Sequence, residues 1–382
     1  MPESLPAELV ELRDRTQAFL DDELWPMEHP LHLGTYDPVP PEVVDWTRQQ
    51  ARKAGLFGLT QPEELGGSAG SALALTVVRE MLAASNLRLS AYVLGPSPGV
   101  LRAAQGELRA AYLVPVLAGT KRGAFAFTEP QEAHHPTAAL RDGEDLVVHG
   151  SKAYVTGGAD ADFYTTLVRV REDGDRPSGT AMLIIDRESQ GVNIEEAFES
   201  LDGSHHVSIH FHDTRVPASH VVGEIGEGMP RALRNIGEVR LALAARATGI
   251  CMWALDFLAN HLQQPHRSGK PLGERESIRL RYADLRIEAM AARSLLYRTA
   301  RLEDSSENSI NEVIATKVFC TETVGRVVDG AIQMVGGRGL VVGHPLERLY
   351  RQVRALRLTE GASDLLRLNL AKGRLELGKG RI

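Results

Sequence analysis

Glu360 stands directly before Gly361 in the stretch RLTEGASDLL (residues 357–366), near the end of a long helical region. A carboxylate there has two readings. It is a turn residue ahead of a helix capped by Ser363 or Asp364, or a general base presented from the mouth of a helix bundle. Taken alone, the residue favours the turn. His210 and His212 lie two apart, on one face of a strand, where metal ligands could sit together. No third ligand follows at suitable spacing, so the expectation is no metal and ordinary surface strand residues. Cys251 and Cys320 form no CxxC and read as small buried apolar residues in a reducing compartment.

The elements that must position such groups fall into three zones of a 382-residue chain, long enough for two or three domains. Residues 1–120 read as an N-terminal helical domain, with amphipathic segments over 7–21, 41–54, 72–85 and 107–117. Residues 121–225 shift to β-branched and aromatic runs with Gly, Asp and Ser turns: DLVVHG, SKAYVTG, FYTTLVRV, TAMLIID and HVSIHFH. They predict a middle β-barrel or sandwich domain. Residues 226–382 return to helical spacing. Val239, Leu243, Ala247, Ile250, Ala254 and Phe257 share one helix face, Ile278 to Leu296 define a second helix, and a third runs from about Ile310 to Met334. Short connections such as EDSSENS (303–309) predict an antiparallel four-helix bundle. The whole reads as an α+β multidomain protein.

Composition excludes several functions. With 43% hydrophobic and 24% charged residues the chain reads as globular, and a net charge of −7 argues against a nucleic-acid partner. No uninterrupted apolar run approaches bilayer-spanning length, so no membrane insertion is expected. The acidic, mixed opening MPESLPAELVELRDRT resembles neither a signal core nor an Arg-rich leader, which predicts a cytoplasmic protein.

Four stretches, in order, resemble the acyl-CoA dehydrogenase family of flavoenzymes. They are AFAFTEP (124–130), HGSKAYVTGGADADFY (149–164), RLALAARATGI (240–250) and AIQMVGGRGLVVGHPLERLYRQVRALRLTEGAS (331–363). GLFGLTQPEELGGSAG (55–70), VVREML (77–82) and VPASHVVGEIGEGM (216–229) also fit, so the likeness covers nearly the whole chain with its spacing preserved. The resemblance implies FAD and removal of two hydrogens from the α and β carbons of an acyl thioester, carried on CoA or a carrier protein. A base takes the α-proton while flavin N5 accepts the β-hydrogen as hydride. The developing enolate charge needs donors, which the resemblance supplies as the base's own backbone N–H and a flavin ribityl hydroxyl.

Glu360 matches the position of the family's common base. Gly361 is then expected because close approach of the backbone to the thioester leaves no room for a Cβ. Enclosure by acyl chain and flavin is expected to raise the pKa of Glu360. Relatives with the base on the first bundle helix carry it at the position of Val239, which cannot act, and Glu238 is one residue out of register. The resemblance assigns flavin contacts to Phe125, Phe127, Thr128, Tyr154 and Thr156. It assigns Gln333, Gly336 and Gly337 to the adenosine-pyrophosphate half of an FAD bound mainly by a neighbouring subunit. This implies a homo-oligomer, with a hetero-oligomer as the alternative. Arg240 matches a basic residue beside the active site, and an electron-transfer flavoprotein-like acceptor is the implied redox partner.

The sequence also departs from the pattern. His134 and His135 replace the Ser and Asp that usually follow T-E-P, putting imidazole where the cofactor pyrophosphate or the pantetheine arm is held. PHRSG (265–269) puts Pro265 and Ser268 where the family has the Arg and Phe of an FAD clamp, Ala362 replaces a hydroxyl, and Gln352 replaces an Asp. Two alternatives follow: a partner subunit that completes another chain's FAD site, or a relative resembling flavin monooxygenases or desulfinases.

Overall fold

The computed structural model describes residues 4–34, 37–171, 173–174, 177–305 and 307–378. Helices form where the three-to-four spacing of apolar residues predicts them: α1 (Ala7–Phe19), α2 (Pro41–Lys53) and α3 (Ala72–Ala84). Proline at the first position of α2 lacks only an N–H that would have had no intrahelical partner. The start of α3 is capped twice. The Ser71 hydroxyl accepts from the Ala74 N–H, and the Asp304 carboxylate accepts from Ala72 at 2.6 Å and Leu73 at 2.9 Å, placing negative charge at the positive end of the helix dipole. The expected 107–117 helix is present, running without a break over residues 106–118 with a π-turn at Arg109–Leu113 inside it.

The described chain divides into two compact units, Pro96–Ile236 on one hand and Met1–Gly95 with Gly237–Ile382 on the other. The first of these holds a seven-stranded curled sheet: β1 (Gly123–Ala126), β2 (Ala138–Asp142), β3 (Asp145–Thr156), β4 (Phe163–Val170), β5 (Gly179–Asp186), β6 (Val192–Glu199) and β7 (His205–Pro217). Strand β4 carries β5 along one edge and, along the other, β1 beside its start and β2 beside its end, both parallel. The order continues β2–β3–β7–β6, antiparallel throughout. DLVVHG and SKAYVTG, which read as two strands, form the single strand β3, with register shifts at Val148/Gly150 and Lys152/Val155. Strands β2 and β6 escape the hydrophobic pattern. The β6 sequence VNIEEAFE is mostly exposed and edges the sheet, where charge discourages further pairing.

The second unit is helical, and one apolar core runs through both its chain segments. Helix α4 (Gly228–Gln263), from Gly237 onward, and helices α5 (Glu276–Asp304), α6 (Ile310–Val335), α7 (Pro345–Leu356) and α8 (Ser363–Leu375) complete it, with α6 packed against α5, α7 and α8. The buried seam of α4 is Ala244, Ala247, Cys251, Ala254 and Leu258, mostly small residues that let helices approach closely. At Gly249 the approach is tightest: a Cβ there would lie 2.2 Å from the Glu80 carbonyl of α3. By length and composition α4 could cross a membrane, yet 56% of its most apolar window is buried inside the protein, as befits a core helix.

The same place on α3 holds a buried ion pair. The Glu80 carboxylate, 1% exposed, accepts from Arg293 Nε at 2.8 Å, Arg293 Nη2 at 2.7 Å and the Tyr297 hydroxyl at 2.7 Å, both partners on α5. Burial and the Glu80 charge push the Tyr297 hydroxyl above its ordinary range. Removing one partner strands the other in a poorly solvated place. Glu80→Ala is expected to destabilise the protein by about 3–5 kcal/mol, read as a lower midpoint of chemical denaturation; an unchanged midpoint would contradict this account.

Candidate active site

The segment between α7 and α8 turns twice before the chain re-enters helix. Leu358 and Thr359 donate their N–H groups to the Ala355 carbonyl, and the Ser363 N–H donates to the Arg357 carbonyl at 3.0 Å. Helix α8 begins at Ser363 with Ala362 at its cap position and no side-chain cap, so neither Ser363 nor Asp364 plays the capping part expected of them. Glu360 occupies the left-handed region at φ 55°, as only six described non-glycine residues do, and Tyr154 is another of them. Backbone strain of this kind persists where surrounding structure enforces it, frequently at functional sites.

Two cations enforce it here. Arg240 Nε on α4 donates to the Glu360 carbonyl at 3.0 Å, and Lys317 Nζ on α6 donates to the Gly361 carbonyl at 2.8 Å. Burial raises the Glu360 carboxyl above the ordinary carboxylate range, while Arg240 and Lys317 pull the other way. The raised pKa expected from enclosure by ligands therefore already arises from the protein itself. Burial and then Arg240 lower the Lys317 ammonium to about 8, opposed by Glu360 and Glu322. Gly361 is required by its φ of +105°, and a Cβ would come 3.1 Å from Leu366 Cδ2 and 3.5 Å from Arg240 Nη2. Within the protein alone, the close neighbours of this glycine are the side chains of Leu366 and Arg240. Arg240 engages the Glu360 backbone, which makes it a holder of the turn.

Lys317 was not among the residues singled out from sequence, although the signal was there. It is spaced four after Val313 and three before Cys320, both core positions, and is itself 0% exposed. Glu322, one turn further along α6, anchors the far side through Arg357 at 2.8 Å and Arg367 at 3.5 Å. Burial alone would raise its carboxyl; hydrogen bonds from Ser363 and Arg357 and the charges of Arg357 and Arg367 hold it below the ordinary range.

In the sheet unit, the segment after β1 lies beside the second irregularity of β3. The Ala153 N–H donates to the Thr128 carbonyl at 2.9 Å, and Lys152 Nζ donates to the Phe127 carbonyl at 3.2 Å and to Glu129 at 2.5 Å. Lys152 is fully buried, and the Thr137 N–H and hydroxyl complete the Glu129 carboxylate. Glu129 and Lys152, another pair that sequence reading left without a role, therefore tie the T-E-P loop to the K-A-Y-V-T strand. The bulge puts Tyr154 in left-handed backbone, the residue 65% exposed and its ring edge-on to Phe198 at 5.3 Å. Phe125 and Phe127 stack on each other at 5.6 Å, and Thr128 and Thr156 are exposed. The result is an open shelf of aromatic faces and hydroxyls, suited to a flat heteroaromatic ligand.

Gln333, Gly336 and Gly337 lie at the exposed end of α6, where Gly336 has φ 81° and no atoms stand within 4 Å of a Cβ at either glycine. Next to them, the Arg338 guanidinium neighbours His261 and His344, whose imidazoles are lowered first by burial and then by the Arg338 charge, which favours their neutral forms. Phosphate would be welcome there. His134 is exposed in the loop after T-E-P, and Pro265 and Ser268 are exposed in the loop after α4. Among the described residues no group of three His, Cys, Asp or Glu could hold a metal.

Residues 6–120, 124–214 and 226–375 match, in turn, the N-terminal, middle and C-terminal domains of acyl-CoA dehydrogenases. The cyclohexane-1-carbonyl-CoA dehydrogenase of Geobacter metallireducens is 30% identical over 83% of this chain and 86% of its own length. The caffeyl-CoA reductase-Etf complex subunit CarC of Acetobacterium woodii is 27% identical over 85% of this chain and 87% of its own. The butyryl-CoA dehydrogenase structure from Megasphaera elsdenii has the same fold, with a TM-score of 0.79 at 24% identity, covering 98% of this chain and all of that one. With its three successive domains matched and its motifs in the family's order, the chain belongs to the acyl-CoA dehydrogenase family, FAD-dependent oxidoreductases that act on CH–CH bonds.

Proposed function

We propose that this enzyme removes hydrogen from the α and β carbons of an acyl thioester, acyl-CoA or its carrier-protein counterpart, with Glu360 as the base for the α-proton. The observation that carries this reading is the Glu360–Gly361 turn, strained at Glu360 and held by Arg240 and Lys317 through consecutive carbonyls. A base works only when ionised, and a pKa raised toward the working range strengthens it. Among the described residues the Glu360 N–H has no backbone acceptor, which leaves it available to an enolate-like oxygen.

The residues present fit FAD. Tyr154 offers an exposed ring on enforced backbone, with Phe125 and Phe127 beside Thr128 and Thr156 supplying stacking and hydroxyls. FAD, when bound, supplies the hydride acceptor at flavin N5. Thr128 and the backbone of Phe127 and Thr128 would hold the pyrimidine edge, Tyr154 would flank the ring, and Thr156 would lie at its N5 side. Gln333, Gly336 and Gly337, with Arg338, would meet the pyrophosphate half of a neighbouring subunit's FAD, where extra positive charge offsets the lost clamp at Pro265 and Ser268. His134 would face the pantetheine arm or pyrophosphate. The reading carries with it an oligomer, a cytoplasmic setting in keeping with two buried free thiols, and an electron-transfer flavoprotein as acceptor. The likeness to an Etf-complex subunit supports that acceptor. The intact Glu360 turn and the exposed shelf weigh against a chain that only completes another subunit's site.

Purified alone, the protein is expected to be yellow and to bleach when an acyl-CoA is added without oxygen. A colourless soluble oligomer would overturn the reading. Glu360→Gln is expected to slow bleaching by at least about a hundredfold, and unchanged bleaching would remove Glu360 as the base.

The electrostatics set a pH dependence. Activity should fall as pH drops through the raised Glu360 pKa, because protonation disables the base. Lys317→Met removes a charge that favours the carboxylate, so the acid limb of the kcat/KM profile should move to higher pH, with a loss of about a hundredfold in kcat as the turn loses its anchor. An acid limb that stays in place would refute the coupling.

A further inference from the structure

A chain of hydrogen bonds leads inward from the Thr156 hydroxyl. Thr156 Oγ1 lies 3.1 Å from His206 Nδ1, His206 Nε2 lies 2.9 Å from Ser204 Oγ, and Ser204 Oγ donates to Asp202 Oδ1 at 2.6 Å. Strand register makes the contact unavoidable, since Thr156 and His206 are direct partners across β3 and β7, and Phe198 pairs His206 from β6. The imidazole stacks on Phe198 at 5.6 Å and meets the Tyr154 ring at 6.2 Å, so it cannot turn freely. The loop is fixed as well: the Ser204 N–H also donates to Asp202, and its carbonyl accepts from the Ser200 N–H.

The chain has a direction. A carboxylate only accepts, so the single proton of Ser204 is committed to Asp202. Ser204 Oγ must then accept from His206, which places the proton of the neutral imidazole on Nε2 and leaves Nδ1 an acceptor. Thr156 gives its one proton to Nδ1, and its oxygen faces outward with lone pairs alone.

We propose that Asp202, Ser204 and His206 act as positioning residues that fix the Thr156 hydroxyl as a hydrogen-bond acceptor toward flavin N5, and thereby raise the reduction potential of the bound cofactor. The inference rests on the reading above that Thr156 lies at the N5 side of the ring. Oxidised flavin presents a lone pair at N5 and would need a donor, whereas reduced flavin presents an N5–H. A hydroxyl locked as acceptor complements only the reduced form. The difference of one hydrogen bond is worth roughly tenfold in the reduction equilibrium, about 30 mV for a two-electron couple.

The test is the midpoint potential of the holoprotein at about pH 8, above the ordinary imidazole range, together with the histidine tautomer by nitrogen NMR. His206→Leu and Thr156→Val are each expected to lower the potential by about 30 mV, and the double variant should match Thr156→Val alone. Ser204→Ala, which keeps the imidazole and its stack, should shift the potential in the same direction and serves if His206→Leu does not fold. A shifted Thr156→Val beside unshifted His206→Leu and Ser204→Ala would overturn the relay. Wild-type potentials in all the variants would overturn the placement of Thr156 at the flavin together with it. An Nδ1-protonated His206 in the wild-type protein would overturn the relay whatever the flavin does.

Discussion

The position of the proposed base depends on an ammonium group buried in a helix core. Lys317 belongs to the apolar face of α6, and a charge there must find a partner or lose its proton. Its partner is the Gly361 carbonyl, at 2.8 Å. That contact couples a core helix to the turn that carries Glu360. Arg240 repeats the device from α4 on the neighbouring carbonyl, and Glu322 ties down the flanking residues through Arg357 and Arg367. A carboxylate left to a flexible loop would sample many directions; between two anchored carbonyls its Cα has one.

The sheet unit uses a similar arrangement with different parts. A buried pair, Lys152 and Glu129, fixes the loop after β1 against β3, and the irregularity in β3 turns Tyr154 outward in left-handed backbone. Glu360 immediately precedes the residue whose carbonyl the buried Lys317 holds, and Tyr154 follows the buried Lys152 itself by two positions.

Much of this was legible in sequence, and the limits have physical reasons. The long helices α4, α5 and α6 announce themselves because their buried faces recur at helical spacing over many turns. Strands β4, β5 and β7 do so through dense β-branched runs. Strand β6 does not, because an exposed edge needs charges where a buried strand needs valine. Glu360, Tyr154 and Thr156 could be picked out by resemblance, but their geometry could not. The outward turn of Tyr154 is a consequence of register between β3 and β7, and register is a relation between distant segments. The partnership of Thr156 with His206 is hidden for the same reason. Lys317 was readable, since a lysine at a core position of a helix asks for an explanation, yet the identity of its partner carbonyl required the fold.

The Glu80–Arg293 pair has a consequence in time as well as in space. Its two residues are 213 positions apart, and the unit they belong to is interrupted by the whole sheet unit. During synthesis at about 5–20 residues per second, the carboxylate on α3 waits roughly ten to forty seconds for its guanidinium. Throughout that interval the first helices cannot bury Glu80 beside its native partner, while the intervening segment, contiguous in the chain, can gather its own core. The connectivity thus makes this native ion pair one that can close only after the whole sheet unit has been made.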